Sequence, residues 1–192
     1  RVIEELRMNT SNKILFPQNC PSCGEKLFKN ESEAATKCIN NICPSIQKGL
    51  LRHWVGKSAM NIDGLGIKII EQLFEAKLIK NINDLYTLNH EKLKSLERMG
   101  DKSINNLLSG IEQSKNRAWH KKLYALGINH IGEVTAKNIS LRFKNIDELK
   151  EASLIKSNYL CEINGIGSEI INALKNLFLN KNNLNLIKNL QV

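Results

Sequence analysis

Met60-Asn61-Ile62-Asp63-Gly64-Leu65-Gly66 is a turn that the chain uses repeatedly. Met99-Gly100 follows Leu96-Glu97-Arg98, and Ile131-Gly132 follows Leu126-Gly127-Ile128-Asn129-His130. Gly165-Ile166-Gly167 follows Leu160-Cys161-Glu162-Ile163-Asn164. The last glycine of each turn stands at 66, 100, 132 and 167, so the steps are 34, 32 and 35 residues. A near-constant period of this size marks a repeated supersecondary unit. Between the turns, apolar residues recur with helical spacing. Ile104, Leu107, Leu108 and Ile111 form one stripe, Ile70, Leu73, Phe74 and Leu78 a second, and Ile171, Leu174 and Phe178 a third. Each unit is therefore expected to be two helices around a hydrophobic–glycine hairpin, with the stripes facing the core. A short amphipathic helix is expected over 184–190.

A helix that starts directly after such a turn leaves its first N–H groups without intrahelical partners. They carry the positive end of the helix dipole and can hold a phosphate oxygen. A Cβ at the turn would keep a nucleic-acid backbone at a distance, and a following lysine adds a mobile counter-charge. The candidate contacts are Gly64, Gly66, Lys68, Arg98, Gly100, Lys102, Gly132, Gly165 and Gly167. Arg98 and His130 replace the first glycine in the second and third turns. Glu133-Val134 and Ser168-Glu169 stand where the first two turns have a lysine. Such a grip touches no base edge and so is independent of sequence.

Cys20, Cys23, Cys38 and Cys43 give the spacing Cys-x2-Cys-x14-Cys-x4-Cys. Two local pairs of thiolates suit a tetrahedral zinc ion, and four cysteines leave no open position for a catalytic water. Gly24 can take the positive φ that such a knuckle needs. A disulfide framework would call for a small secreted chain, and a thioredoxin-type site for a βαβ unit, and the sequence shows neither. Cys161 is expected to be a small buried apolar side chain. The histidines at 53, 90, 120 and 130 are expected at the surface, and Trp54 and Trp119 as packing anchors.

Composition agrees with this organisation. The 192 residues carry 28 Lys+Arg against 19 Asp+Glu, a formal charge of +9, and a field of that sign attracts polyanions. Aromatic residues are only 5%, low for an all-β fold, and no apolar run is long enough to span a membrane. The expected architecture is mainly α. Residues 1–16 are a separate short segment, 17–48 a small four-cysteine module, and 49–192 an all-α domain of four helix–hairpin–helix units.

Together the four-cysteine module beginning Phe16-Pro17-Gln18-Asn19-Cys20-Pro21 and the hairpin runs resemble the C-terminal half of bacterial NAD-dependent DNA ligases. The runs concerned are Ala59 to Gly66, Leu96-Glu97-Arg98-Met99-Gly100-Asp101-Lys102-Ser103 and Leu123-Tyr124-Ala125-Leu126-Gly127-Ile128. The resemblance implies that residues 1–16 end an OB-fold, that 17–48 are a zinc finger, and that 49–192 are a DNA-binding helix–hairpin–helix domain. It also implies a cytoplasmic, nucleoid-associated monomer that clamps nicked duplex DNA during replication and repair, with no membrane partner. Zinc would be structural here, while NAD and magnesium would serve the parent enzyme. The family's adenylation lysine lies in a Lys-x-Asp-Gly motif. The single Asp-Gly here is Asp63-Gly64, with Asn61 in the lysine's place, so no catalytic residue is expected and the chain alone should not ligate.

Three other readings remain open on sequence. The first is a stand-alone zinc and helix–hairpin–helix DNA-binding protein. The second is a DNA glycosylase, which uses one such hairpin and then a catalytic aspartate. The third is a helical-repeat scaffold, since tetratricopeptide units also run 34 residues, although their Trp, Tyr and Pro signature is missing here.

Overall fold

The structure, a computed structural model, describes residues 16–29, 35–155 and 158–179, with Leu184 and Ile187 described singly. The expected OB-fold end lies outside these residues apart from Phe16. The helix expected over 184–190 lies outside them apart from Leu184 and Ile187. The chain forms two compact units that divide between Pro44 and Ser45.

The first unit is small. Its strands β1 (Phe28–Lys29) and β2 (Thr36–Lys37) pair antiparallel, Phe28 opposite Lys37 and Lys29 opposite Thr36. Among its described residues only Cys20 and Cys43 are buried, and the large apolar side chains Phe16, Phe28, Ile39 and Ile42 are exposed. A chain this short, without an apolar core, needs another source of folding free energy.

Ten helices follow among the described residues. They are α1 (Pro44–Val55), α2 (Ile67–Glu75), α3 (Ile82–Leu85), α4 (His90–Lys94) and α5 (Asp101–Ser114), then α6 (Trp119–Ala125), α7 (Glu133–Arg142), α8 (Ile146–Leu154), α9 (Asn158–Cys161) and α10 (Ser168–Leu179). The expected boundary at 48/49 falls inside α1, because the helix starts at Pro44. Proline at a first helical position loses nothing, since its missing N–H would have had no partner there. No helix among the described residues is long and apolar enough to cross a membrane.

All three predicted stripes face the core, and one apolar cluster gathers side chains from Leu51 to Ile187. Helix α6 packs on α7, α4 on α5, and α8 on both α9 and α10. A buried polar chain fastens the first half. Trp54 Nε1 donates to Tyr86 Oη at 3.1 Å, and Tyr86 Oη lies 3.1 Å from Ser114 Oγ, which donates to Ile111 O. Trp54 is fully buried and Ser114 nearly so, so each link satisfies a group that would otherwise be costly to bury. Burial also pushes the Tyr86 hydroxyl pKa above its usual value.

The turns also repeat in backbone angle. Asn61 and Gly127 both have positive φ, at 53° and 64°, and so do Gly64 and His130, at 84° and 66°. Arg98 and Gly165 match likewise, at 58° and 85°. The segment from α1 to α5 is thus echoed from α6 to α10.

Cys161 is a correction to the sequence reading. It ends the short helix α9 exposed to solvent, while its neighbour Leu160 takes the buried position. His53 also departs from a surface role. Its ring packs edge-on against Tyr124 at 4.7 Å, and its Nε2 lies 2.8 Å from the Tyr124 carbonyl.

Candidate metal centre and nucleic-acid interface

The sulfurs of Cys20, Cys23, Cys38 and Cys43 all lie within 4.8 Å of one another. Backbone bonds shape the first knuckle: Gly24 N–H donates to Cys20 O at 2.8 Å, and Cys20 N–H to Glu25 O at 2.7 Å. Gly24 takes φ +76°, which a side chain would strain. In the second knuckle Cys43 N–H donates to Asn40 O, and Ile42 N–H to the Asn40 side chain. Sulfurs pair across the knuckles, Cys20 with Cys43 at 3.8 Å and Cys23 with Cys38 at 3.6 Å. These distances are far too long for a disulfide, whose S–S bond is about 2.05 Å. They match the edge of a tetrahedron of about 3.8 Å set by Zn–S bonds of about 2.3 Å.

The electrostatics point the same way. At Cys38 the Asn40 backbone hydrogen bond favours the thiolate. Burial and the hydrogen bonds shared with Cys23, Cys20 and Cys43 outweigh it and push the thiol up to about 12. Four sulfurs this close ionise together only around a cation, and a divalent metal supplies that charge. The donor set fits a structural zinc ion, which these four residues would hold.

The glycine turns form the second candidate site. In each, a residue of positive φ comes first: Gly64, Arg98, His130 and Gly165. For Arg98 and His130 the left-handed backbone costs about 1–2 kcal/mol each. An apolar residue follows and packs into the core. Leu65, Ile131 and Ile166 are buried, and Met99 is partly so. The glycine then launches the next helix. Gly66, Gly100 and Gly132 are the N-caps of α2, α5 and α7, with φ of −73°, −79° and −80° and extended ψ. A glycine at the N-cap offers no side-chain acceptor to the first turn of any of these three helices.

Other helices of the same chain are capped differently. Asn81, Asn89 and Asn145 cap α3, α4 and α8 with their side chains, at 2.8, 3.0 and 2.9 Å from the N–H groups they satisfy. At the turns a side chain would meet no obstacle. A Cβ added to Gly66, Gly100, Gly132 or Gly167 would find nothing within 4 Å. Since φ at these three N-caps is ordinary, neither strain nor internal packing calls for glycine there. The open space lies beside the N–H groups of the first helical turn, which have no intrahelical partner.

Lys68, Arg98 and Lys102 are exposed next to these donors, as expected from sequence. The turns are also fastened from a distance. Arg117 donates through Nε and Nη2 to Ala59 O, both at 3.3 Å, at the entry to the first turn. Asn138 Nδ2 donates to Asn164 O in the fourth turn. His90 Nε2 sits 3.3 Å from the carboxylate of Asp101, the first residue of α5. Lys121 pairs with Glu133, the first residue of α7, and holds that carboxyl below its usual pKa range.

Known proteins share these features. The model of the NAD-dependent DNA ligase C4 zinc finger domain matches residues 19–44, which contain all four clustered cysteines. The DNA ligase of a Prochlorococcus marinus strain is 51% identical over 191 residues, which is 100% of this chain and 28% of that protein. The chain is similar to these ligases along its whole length. A second P. marinus ligase is 49% identical and one from a Synechococcus strain 44%, each over 191 residues and 28% of its own length. The chain spans little more than a quarter of the curated relatives it matches. A helix–hairpin–helix tandem model matches residues 57–113, and a helix–hairpin–helix motif model matches 121–187. The first window encloses the turns ending at Gly66 and Gly100, and the second those ending at Gly132 and Gly167. A four-cysteine zinc finger followed by helix–hairpin–helix motifs, as expected from sequence, agrees with these matches.

Proposed function

We propose that this chain is the part of an NAD-dependent DNA ligase that holds nicked duplex DNA by its backbone. Residues 17–48 would form the zinc finger and 49–192 a helix–hairpin–helix domain of four motifs. The whole protein would seal nicks during replication and repair, acting as a monomer in the cytoplasm at the nucleoid. The residues proposed to meet phosphates are Gly64, Gly66, Lys68, Arg98, Gly100, Lys102, Gly132, Gly165 and Gly167. Cys20, Cys23, Cys38 and Cys43 would hold the zinc.

One observation carries the reading. Three helix N-termini start on a glycine with no side-chain cap and open space in front of it, in a chain that caps other helices with asparagine. N–H groups left to solvent in this way can exchange water for an anion, and phosphate is the ligand that suits them. The chain's net charge of +9 supports a polyanion. Backbone contact carries no sequence information, so binding should be indifferent to base sequence.

The first turn is the most informative one to test. Its helix begins with Ile67-Lys68, without an acid in the first turn, whereas α5 and α7 begin with Asp101 and Glu133. Gly66→Val places a β-branched side chain in open space at an ordinary extended backbone. Helicity by circular dichroism should stay as in the wild type, while affinity for a labelled nicked duplex falls about tenfold, the size of one charged hydrogen bond. Unchanged affinity would remove this turn from the contact surface.

A further inference from the structure

The third turn gathers more positive charge than its sequence displays. The first two turns are followed by Lys68 and Lys102 at the second position of α2 and α5, where α7 has the exposed Val134. The missing cation comes from another helix. Lys121 on α6 reaches α7 and donates from Nζ to Glu133 Oε1. Its side chain is only 21% exposed, so its stem is packed down and its ammonium group is delivered to one place. Arg117 and Lys137 add positive charge in the same neighbourhood. Burial and then the charges of Lys121 and Lys137 hold the His120 imidazole below its usual range, and Glu133 alone among the acting groups opposes them.

We propose that Lys121 is the phosphate-binding cation of the third turn, and that Glu133 holds it in place and competes for it until DNA arrives. This rests on the reading of the glycine turns as DNA contacts. A phosphate approaching Gly132 meets the Glu133 carboxylate, which repels it, and the Lys121 ammonium group, which can leave one anion for another. A half-exposed ion pair in water is worth little. Neutralising a phosphate also releases condensed counterions, so the exchange favours DNA at low salt. Glu133 therefore weakens the third turn without closing it, and its removal should strengthen binding.

The test is affinity of the full zinc-loaded chain for a labelled nicked duplex, measured across a salt series for wild type, Lys121→Ala, Lys121→Arg and Glu133→Gln. Lys121→Ala should weaken binding about five- to tenfold near 0.1 M salt and reduce the slope of log K against log salt by about 1, one phosphate's share. Lys121→Arg should keep the wild-type slope. Glu133→Gln should strengthen binding about threefold, by removing a like charge and freeing the lysine. Loss of a purely structural pair would lower thermal stability in both Lys121→Ala and Glu133→Gln, and would leave the salt slope of Lys121→Ala as in the wild type. A wild-type slope for Lys121→Ala, or weaker binding by Glu133→Gln, overturns the proposal. Absence of wild-type binding at low salt would instead overturn the DNA reading on which it rests.

Discussion

Cys38→Ser is expected to strip the small unit of its metal and unfold residues 17–48, while the helical part keeps its structure. Among its described residues the unit buries two cysteines and exposes Phe16, Phe28, Ile39 and Ile42, so these side chains supply no apolar core. Metal binding must then supply its folding free energy, which for zinc-finger peptides is about 10–16 kcal/mol at neutral pH. A serine at 38 removes one of four sulfurs, leaving Cys23 without the neighbour that lies 3.6 Å away. Among the described residues the apolar cluster draws only on the helical unit, so that unit has a core of its own. Zinc per chain by atomic absorption should fall from one to near zero. Limited proteolysis should cut within 17–48, while helicity and the main thermal transition persist. A wild-type digestion pattern in that region would contradict the account.

The second large effect should come from changing all four launching glycines, Gly66, Gly100, Gly132 and Gly167, to asparagine. Asparagine is among the best N-caps and glycine is only a few tenths of a kcal/mol worse. Asn81, Asn89 and Asn145 show the side chain doing this in the same fold, from an extended backbone like that of Gly66, Gly100 and Gly132. Nothing inside the protein obstructs the new side chains. The variant should therefore be as stable as the wild type or slightly more so. Its asparagine oxygens would occupy the donors that phosphates need and stand in the space a DNA backbone would enter. Affinity for duplex DNA should drop about a hundredfold or more, since each turn gives up hydrogen bonds to a charged group. A variant of raised thermal midpoint that still binds as the wild type would show that these helix ends hold no ligand.

The two sites differed in how much of them could be read in advance. The metal ligands were legible because each knuckle is local: two cysteines a few residues apart must be brought together by any tight turn. The turns were legible because glycine, a buried apolar residue and a second glycine recur at one period. What was not legible depends on helix packing. Lys121 lies 12 residues before Glu133 on a different helix, and only the packing of α6 on α7 joins them. Arg98 and His130 take a glycine-like backbone although nothing in their chemistry favours it, because the turn around them dictates the angle. Cys161 was misread because a small thiol is usually buried, whereas α9 turns Leu160 inward and leaves its last residue outside. The start of α1 is hidden in the sequence because Pro44 marks a break in most contexts and a helix start only at the first position. The chain Trp54–Tyr86–Ser114 joins residues 32 and 28 positions apart, beyond any local pattern.

The central claim is that the helix N-termini after the glycine turns hold DNA phosphates. The most direct measurement is a salt titration of this chain's affinity for a labelled nicked duplex, beside an intact duplex and a neutral control polymer. The account predicts a straight fall of log K with log salt, with a slope of about −3 to −8 for several phosphates held together, and no binding of the neutral polymer. Absence of duplex binding even at low salt would mean that the turns only connect helices, and would contradict the account.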